Sequence, residues 1–375
     1  MLEEKGNLKA ALLASGVMAF AGLGDAVLYP VLPVYAASLN IPVFGIGVLL
    51  SANRFVRIIG NTWVANLVRH FGIKKVLMLS GLLGVITTSI YGLSIGLWSM
   101  LVARIVWGLA YSGMKTSTLG IAAQFKSGRG LAFGATQSLK SLAVLFAFML
   151  GPWLVVQFGI GMAFLVLAVC SLPAVVFSLF TPAVQVGSNR IEFRKTFAPT
   201  PINLLVFVLA CTIDGILIVG LAHLLSVSIH ETSDLIVTAA SYMLLSRLFM
   251  IGVSLLSGFV SMRISPAIMF NFSVWCCLLG LFLIAIGFVV EGIVFCFFFN
   301  TVVVCFAPLV AMRSTQNQLL TVSQVSSWWD LGAGVGAFVG IGLLNSIGQH
   351  YLFMIVSVVS ALIFLNYKFR YENSN

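Results

Sequence analysis

Nine charged side chains lie deep inside long apolar runs of this 375-residue sequence. An arginine, lysine or aspartate at the centre of a membrane-spanning helix costs about 2.5–3.5 kcal/mol on insertion scales. The six bases alone therefore cost on the order of 15 kcal/mol before pairing or hydration relieves it, so we expect them to face a polar cavity. The nine residues are Asp25, Arg54, Arg57, Arg104, Lys115, Lys140, Asp214, Arg247 and Asp330.

The bases in this set outnumber the acids. Six bases face three aspartates, so complete pairing leaves 6 − 3 = 3 positive charges. Guanidinium groups bind carboxylate and phosphate through two parallel hydrogen bonds, and ammonium groups act as compact point charges. The surplus predicts a small-molecule substrate that is an anion or a carboxylate-rich zwitterion. The predicted substrate-binding residues are Arg54, Arg57, Lys115, Lys140 and Arg247.

The spacing of these bases indicates that they line a path for the substrate, and not one binding point only. Arg54 and Arg57 are three residues apart and share a helical face, and Arg104 and Lys115 share a face about three turns apart. Lys140 lies far from both ends of its run, which excludes snorkelling to the membrane surface. Lys115 has a second interpretation, as a partner of a backbone carbonyl.

Two of the aspartates are predicted to carry protons. A carboxylate that moves between a dry environment and one rich in arginine changes its affinity for a proton, which would couple protonation to conformation. Asp25 and Asp214 are the candidates. The alternative is that Asp25 with Arg54, and Asp214 with Arg247, form fixed ion pairs that hold each half of the chain together.

The eleventh apolar run combines an acid with regularly spaced glycines. Asp330 could pair with Arg313 or with a base of the cavity. Gly332, Gly336 and Gly340 follow it at intervals of four, a spacing that lets neighbouring helices approach closely in a membrane. We therefore predict tight helix packing along this run.

The composition excludes an ordinary soluble domain. Hydrophobic residues make up 60% of the chain and charged residues 8%, whereas charged residues make up about a quarter of a typical soluble domain. The net charge of +10 is dispersed along the chain, so we expect no nucleic-acid partner. The six cysteines and four histidines show no metal-ligand spacing, so we expect no metal and no cofactor.

Twelve apolar runs are long enough to span a membrane as helices. They cover residues 8–38, 41–68, 74–96, 97–125, 129–156, 159–180, 200–229, 233–262, 266–288, 291–316, 321–346 and 349–368. Fourteen of the twenty Lys and Arg fall at the termini or in alternate connections: Lys5, Lys9, Arg69, Lys74, Lys75, Lys126, Arg129, Arg190, Arg194, Lys195, Arg263, Arg313, Lys368 and Arg370. By the positive-inside rule, we predict a multi-pass protein of the cytoplasmic membrane, surrounded by lipid, with both termini cytoplasmic.

The chain divides into two similar halves. A charged connection near the middle separates six runs from six, and a shift of 214 − 25 = 189 residues places Asp25 on Asp214. We predict an N-terminal six-helix bundle at 1–180, a cytoplasmic linker at 181–200 and a C-terminal six-helix bundle at 201–375. Two such halves in the same orientation would form a site between them, near the membrane midplane.

The connection after the second run resembles a loop of the major facilitator superfamily. It ends in Gly72-Ile73-Lys74, similar to the end of that family's G-x-L-A-D-R-x-G-R-K pattern, although Arg69 replaces the usual aspartate. The resemblance implies that Gly72 and Lys74 belong to a gating loop.

Two apolar runs carry further motifs of that superfamily. Arg104 and Gly108 in the fourth run resemble its R-x-x-x-G pattern, which is associated with proton coupling. Gly151 and Pro152 in the fifth run resemble the centre of its antiporter motif. The resemblance implies an all-α membrane protein with twelve transmembrane helices in two pseudo-symmetric six-helix halves. It also implies a role in proton coupling for Arg104, and gating roles for Gly108, Gly151 and Pro152.

The charges and the resemblance together predict a secondary active transporter. It would move a small organic anion or carboxylate-rich metabolite, a siderophore for example, by alternating access, coupled to protons and as a monomer. Gly151-Pro152 favours export. One alternative is a multidrug/proton antiporter, since thirty Phe residues allow an apolar pocket. Another is a non-transporting receptor or scaffold. The sequence contains no HExxH, GxSxG or P-loop motif, so we do not expect an enzyme.

Overall fold

The structure is a computed structural model that describes residues 2–35, 41–93, 96–125, 128–183, 191–225, 232–314 and 317–372. Within these ranges the chain forms helices and no β-strand. Two of the basic residues used to predict orientation, Lys126 and Arg190, lie outside the described residues, as do the predicted ends of the first, seventh and tenth runs.

Fifteen α-helices account for most of the described chain. They are α1 (Leu2–Ala21), α2 (Leu23–Tyr35), α3 (Val43–Phe71), α4 (Ile73–Leu93), α5 (Leu97–Ala123), α6 (Arg129–Ser171), α7 (Pro173–Phe180), α8 (Phe193–Thr196), α9 (Pro201–Leu209), α10 (Leu221–Leu225), α11 (Thr232–Val260), α12 (Pro266–Ala285), α13 (Val289–Ala311), α14 (Gln318–Ile347) and α15 (Gln349–Glu372). A π-helical segment, Ala210–Leu217, continues α9, and a 3-10 turn, Met312–Ser314, follows α13.

These helices confirm the prediction of an all-α fold with twelve spans. The first span is α1 with α2, bent by 43° at their junction, and α3, α4 and α5 are the second to fourth. α6 runs through the fifth span into the sixth, which α7 completes, and Gly159 marks the break between them with a φ of 76°. The seventh span comprises α9, the π-helical segment and α10, and α11 to α15 are the last five.

Two of the long helices are less apolar than the rest. Seven of the described helices are long and apolar enough to cross a membrane, or eight if the bent pair counts as one span. α3 and α14 are not among them. Both carry charges, Arg54 and Arg57 on α3 and Asp330 on α14, and a charged helix is stable in a membrane where its polar face is shielded from lipid.

The two halves meet along two helix pairs, α3 with α14 and α6 with α11. These pairs join the second span to the eleventh and the fifth to the eighth, so the internal repeat exchanges one pair with the other. In the second pair the backbones nearly touch, because a Cβ atom on Gly134 would collide with the carbonyl oxygen of Ser254. Small residues allow this approach in a membrane, where helices associate mainly through close packing.

The glycines of α14 pack against the seventh span as predicted. A Cβ atom on Gly332 would collide with the carbonyl oxygen of Phe207, and one on Gly336 with that of Cys211. Gly340 faces Ile216 in the same way, with 3.1 Å between the added Cβ and the Ile216 Cα. This tight contact holds α14 against the π-helical segment, which carries Asp214.

Candidate functional site between the two halves

The end of the bundle that carries the linker gives a reference for depth. The linker residue Ile191 exchanges two hydrogen bonds with the Asn66 side chain, of 2.8 and 2.9 Å, near the end of α3. Gln324, near the start of α14, donates to the Lys195 carbonyl oxygen at 2.7 Å. We call this end of the bundle the linker face and the opposite end the far face.

Asp25 of α2 forms an ion pair with Arg104 of α5 inside the N-terminal half. The Arg104 side chain is fully buried. Its Nε donates to the Leu49 carbonyl oxygen at 2.8 Å, and its Nη2 donates to the Tyr29 hydroxyl at 3.4 Å. Asp25 is therefore paired with Arg104 and not with Arg54, because Arg104 lies buried beside it with its other donors already bound to the same half.

Asp214 lies on the π-helical segment and accepts two neutral hydrogen bonds. The Trp329 indole nitrogen donates to Asp214 Oδ2 at 2.7 Å, and Asn300 Nδ2 donates to Oδ1 at 3.0 Å. The charges of Arg54 and Arg247 act on this carboxylate through space, but no described cation forms a direct ion pair with it. The fixed Asp214–Arg247 pair considered from the sequence is thus not formed among the described residues, and Trp329 and Asn300 supply the direct partners of the carboxylate.

A second ion pair joins the two halves. Arg57 Nη2 of α3 lies 3.1 Å from Asp330 Oδ1 of α14, and the two side chains are only 12% and 7% exposed. Asn61 Nδ2, one turn further along α3, donates to Asp330 Oδ2 and to Ser327 Oγ, both at 3.3 Å. The Ser327 hydroxyl in turn donates to the Ile58 carbonyl oxygen at 3.2 Å. These bonds fasten α3 to α14 between the membrane centre and the linker face.

Asp330 thus pairs with a base of the predicted set, and Arg313 does not supply its partner. Arg313 lies at the linker face, where its Nη2 donates to Ser265 Oγ at 2.8 Å. The sequence left both partners open, because the distance between helices cannot be read from spacing along the chain.

Tyr111 connects the bases that the sequence predicted separately. The Arg57 guanidinium carbon lies 4.6 Å from the centre of the Tyr111 ring, and Lys140 Nζ donates to the Tyr111 hydroxyl at 3.4 Å. The charge of Lys115 interacts with Arg57, Lys140 and Tyr111. The sequence analysis did not single out Tyr111, although it precedes Lys115 by four residues on α5 and so shares its helical face.

The sequence profile of the Major Facilitator Superfamily matches residues 14–321. The chain belongs to this superfamily. The resemblance carried by the short motifs is therefore confirmed. The comparison with curated protein sequences gave no significant match.

Solved structures of superfamily transporters share this fold over almost their whole length. The human organic anion transporter MFSD10 (TETRAN) is 17% identical, with a TM-score of 0.77, and the alignment covers 96% of this chain and 99% of that one. The transporter FucP in its outward conformation is 13% identical, with a TM-score of 0.76 and coverage of 96% and 98%. The proton:xylose symporter XylE, bound to 6-bromo-6-deoxy-D-glucose, is 11% identical, with a TM-score of 0.69 and coverage of 96% and 94%.

In this superfamily transporter the surplus charge lies between the halves. Arg104 and Asp25 cancel inside the N-terminal half. Five bases and two aspartates remain, which gives 5 − 2 = 3 positive charges. The five bases are Arg54, Arg57, Lys115, Lys140 and Arg247, and each is half-buried.

These bases are spread along the membrane normal. Arg54 is 71 − 54 = 17 residues from the linker-face end of α3, and Lys115 is 123 − 115 = 8 residues from that end of α5. At about 1.5 Å per residue, their depths are roughly 25 and 12 Å. The bases therefore lie at different depths along the interface between the halves. The described residues contain no cluster of three metal-ligating side chains.

The predicted gating residues lie at the linker face or at close contacts between helices. Gly72 ends α3 with a φ of 83°, and Lys74 begins the next helix at the linker face. A Cβ on Gly108 would lie 2.9 Å from the Asn53 carbonyl oxygen, so Gly108 allows α5 to pack on α3. Gly151 packs against Val27 of α2 in the same way, and the following Pro152 lies within α6.

Proposed function

We propose that this protein is a secondary active transporter that carries a small organic anion across the cytoplasmic membrane, coupled to protons and working as a monomer. The observation that carries this proposal is the excess of three positive charges among the bases and aspartates between the halves. A site of that charge, shielded from bulk water, is stabilised when a bound anion neutralises it. A carboxylate-rich metabolite, of which a siderophore is one kind, fits guanidinium and ammonium groups together.

The path for the anion follows from the depth of the bases. An anion that enters from the far face meets Arg54 first, Arg57 one turn later, and Lys140 and Lys115 nearest the linker face. We assign the binding role to these four residues and to Arg247. Each lies on a helix that faces the other half, so rocking the halves would expose the same bases to each side in turn.

The contacts between the halves at the linker face support an outward-facing state. The predicted linker at 181–200 and the alternate basic connections place the linker face in the cytoplasm by the positive-inside rule. The hydrogen bonds of Asn61 and Ser327 between the halves lie on the cytoplasmic side of the Arg57–Asp330 pair. Gln318 extends this contact by donating to the Ala123 carbonyl oxygen at 3.3 Å. Closure at this depth leaves the far face as the way in.

Proton coupling falls to the carboxylates, and Asp214 suits this role better than Asp25. Asp25 is held by the buried guanidinium of Arg104, so we assign Arg104 and Asp25 a shared supporting role within the N-terminal half. Asp214 accepts only neutral hydrogen bonds and lies within reach of two cationic charges. Protonation of Asp214 would change the balance of charge beside Arg54 and Arg247. Export remains a prediction that depends on Gly151-Pro152 alone.

The test is transport in vesicles that contain only this protein. We expect purified protein, reconstituted with an imposed pH gradient, to accumulate or exchange members of a panel of mono-, di- and tricarboxylates and phosphate esters. Preference for lipophilic cations would favour the multidrug antiporter instead, and binding without counterflow would favour a receptor. Lys75→Gln is the matched control for Lys140→Gln, because Lys75 is exposed at the linker face, away from the site.

A further inference from the structure

The ion pair between Arg57 and Asp330 uses only part of the hydrogen-bonding capacity of the guanidinium. Arg57 offers Nη2 to Asp330 Oδ1 at 3.1 Å, but its Nε is buried and has no hydrogen-bond partner among the described residues. A guanidinium binds a carboxylate most favourably through two parallel hydrogen bonds, for example from Nε and Nη2 together. Asp330 therefore fills only part of the anion-binding edge of Arg57.

We propose that the Asp330 carboxylate occupies, in the absence of substrate, the position on Arg57 that the transported anion takes, and that the substrate displaces it during transport. This inference rests on the proposed function, since it requires an anionic substrate. The incoming carboxylate or phosphate forms the two-bond contact with Nε and Nη2 that Asp330 does not make. Asp330 keeps its second partner, the Asn61 amide, at 3.3 Å.

The surroundings favour exchange of one anion for another at this position. The charges of Arg54, Arg57 and Lys115 all act on the Asp330 carboxylate. Tyr111 packs under Arg57 with its ring 4.6 Å from the guanidinium carbon, which keeps the guanidinium plane in place when its partner changes. Arg54 lies three residues before Arg57 on the same face of α3, so it can pass an anion to Arg57 from the far face.

Displacement of Asp330 would also act on the gate. Arg57 belongs to one half and Asp330 to the other, so the exchange removes the only ion pair between halves in the described part of the chain. The weaker contacts of Asn61 and Ser327 remain. Binding of the anion thus loosens the contact that closes the linker face, and this couples occupancy to the change of state.

A proton on Asp330 would have the same effect as its displacement. The groups that face this carboxylate are Arg54, Arg57 and Asn61 from α3, Tyr111 and Lys115 from α5, and Ser327 from α14. Neutralising Asp330 frees Arg57, so proton and anion favour the same state of the site. Because such coupling is reciprocal, each strengthens binding of the other, so proton and anion would move in the same direction. Under an inward proton gradient this coupling favours uptake, in contrast to the export that Gly151-Pro152 predicts.

The experiment measures anion binding to the full chain in nanodiscs at several pH values. The probes are benzenesulfonate, whose charge does not change over the pH range of the assay, together with succinate and inorganic phosphate. We expect Asp330→Asn to bind the probes about ten-fold more tightly than the wild type at neutral pH, because it removes the competing carboxylate. Wild-type affinity for benzenesulfonate rises as pH falls, and the variant loses most of that dependence. Arg57→Gln binds weakly at every pH.

The outcomes separate this inference from the proposed function. If the wild type binds the probes but Asp330→Asn binds them equally or more weakly, Asp330 is a structural latch and the inference is wrong, while the anion transporter stands. If no probe binds either protein, the inference and the proposed anion transporter both fail. Should Asp330→Asn not fold, the wild-type profile with benzenesulfonate decides: affinity independent of pH, or falling as pH falls, overturns the proposal.

Discussion

Two arginine–aspartate pairs lie within this bundle, and their surroundings differ. Arg104 and Asp25 lie inside the N-terminal half, where the Arg104 Nε is bound by the Leu49 carbonyl oxygen. Arg57 and Asp330 lie across the two halves, and the Arg57 Nε is buried without a partner. The first pair has its donors engaged within one rigid unit. The second is incomplete and joins two units that must separate.

The difference shows that residue type alone does not determine the role of a charged side chain in a membrane protein. Both pairs join a guanidinium to a carboxylate and both are largely buried, yet only the second lies between the halves, where we propose that an anion competes for the guanidinium. We therefore expect the first pair to control stability and the second to control transport. Four substitutions test this contrast.

The largest effect is expected for Arg104→Gln. Removing one partner of a buried, hydrogen-bonded ion pair costs about 3–5 kcal/mol, since it leaves Asp25 charged with only the Asn53 amide, at 3.4 Å, as a described partner. The free energy of unfolding, measured with denaturant in mild detergent, should fall by about this amount. Arg57→Gln should cost clearly less, because the charges of Lys115 and Arg54 still act on Asp330 when Arg57 is removed. Equal losses for the two variants would erase the contrast.

A smaller free-energy change is expected for Arg57→Gln in transport. Truncating one partner of a buried charge pair costs about 2–5 kcal/mol in binding, so anion uptake at limiting concentration should fall by about 30-fold or more. Uptake in proteoliposomes measures this loss, with the amount of folded protein matched by size-exclusion chromatography. Uptake within a factor of about two of the wild type would remove Arg57 from the site.

A moderate effect is expected for Trp329→Phe. The substitution keeps the aromatic ring but removes the indole donor that bonds Asp214 at 2.7 Å, and a hydrogen bond to a charged group is worth about 1.5 kcal/mol or more. We expect the KM for proton-driven uptake to rise about ten-fold.

The neighbouring tryptophan provides the control for that measurement. The Trp328 indole nitrogen is buried without a hydrogen-bond partner among the described residues, so Trp328→Phe removes no bond to Asp214. Its kinetics should match those of the wild type. If both variants lose transport to the same extent, the loss reflects packing of α14 and not the bond to Asp214.

The smallest effect is expected for Lys140→Gln. Lys140 is a half-buried point charge with one long hydrogen bond to Tyr111, at 3.4 Å. Loss of about 0.5–1 kcal/mol of electrostatic attraction would lower anion uptake by about two- to five-fold, and added salt would reduce the difference. Lys75→Gln, at the exposed linker face, should leave uptake unchanged. An effect of equal size in the control would mean that general charge, and not the site, attracts the anion.

The sequence predicted the architecture well because its signals are local. The length of the apolar runs follows from bilayer thickness, and the internal repeat is visible as similar residues at a constant shift along the chain. The orientation that the alternating basic connections indicate stays a prediction. The close packing at Gly332 and Gly336 likewise follows from residue size and spacing. The shared face of Arg54 and Arg57 needed only helical geometry.

Partnerships between helices were not predictable in this way. The alternative role for Asp25 paired it with Arg54, but its ion-pair partner is Arg104, because the neighbour of a helix face depends on how the helices pack. Trp329 and Asn300 bond Asp214 without any charge to mark them in the sequence. The split of the charges into a neutral pair and a surplus between the halves therefore emerges only from the fold.

The most direct test of the central claim is the sign of the charge that moves when a solute binds. Proteoliposomes adsorbed on a solid-supported membrane give a transient current when the bathing solution is exchanged for one containing a probe. For the wild type we predict displacement of negative charge into the protein on addition of benzenesulfonate, and its loss in Arg57→Gln. The absence of a transient current with every anion tested, together with displacement of positive charge by lipophilic cations, would contradict the account.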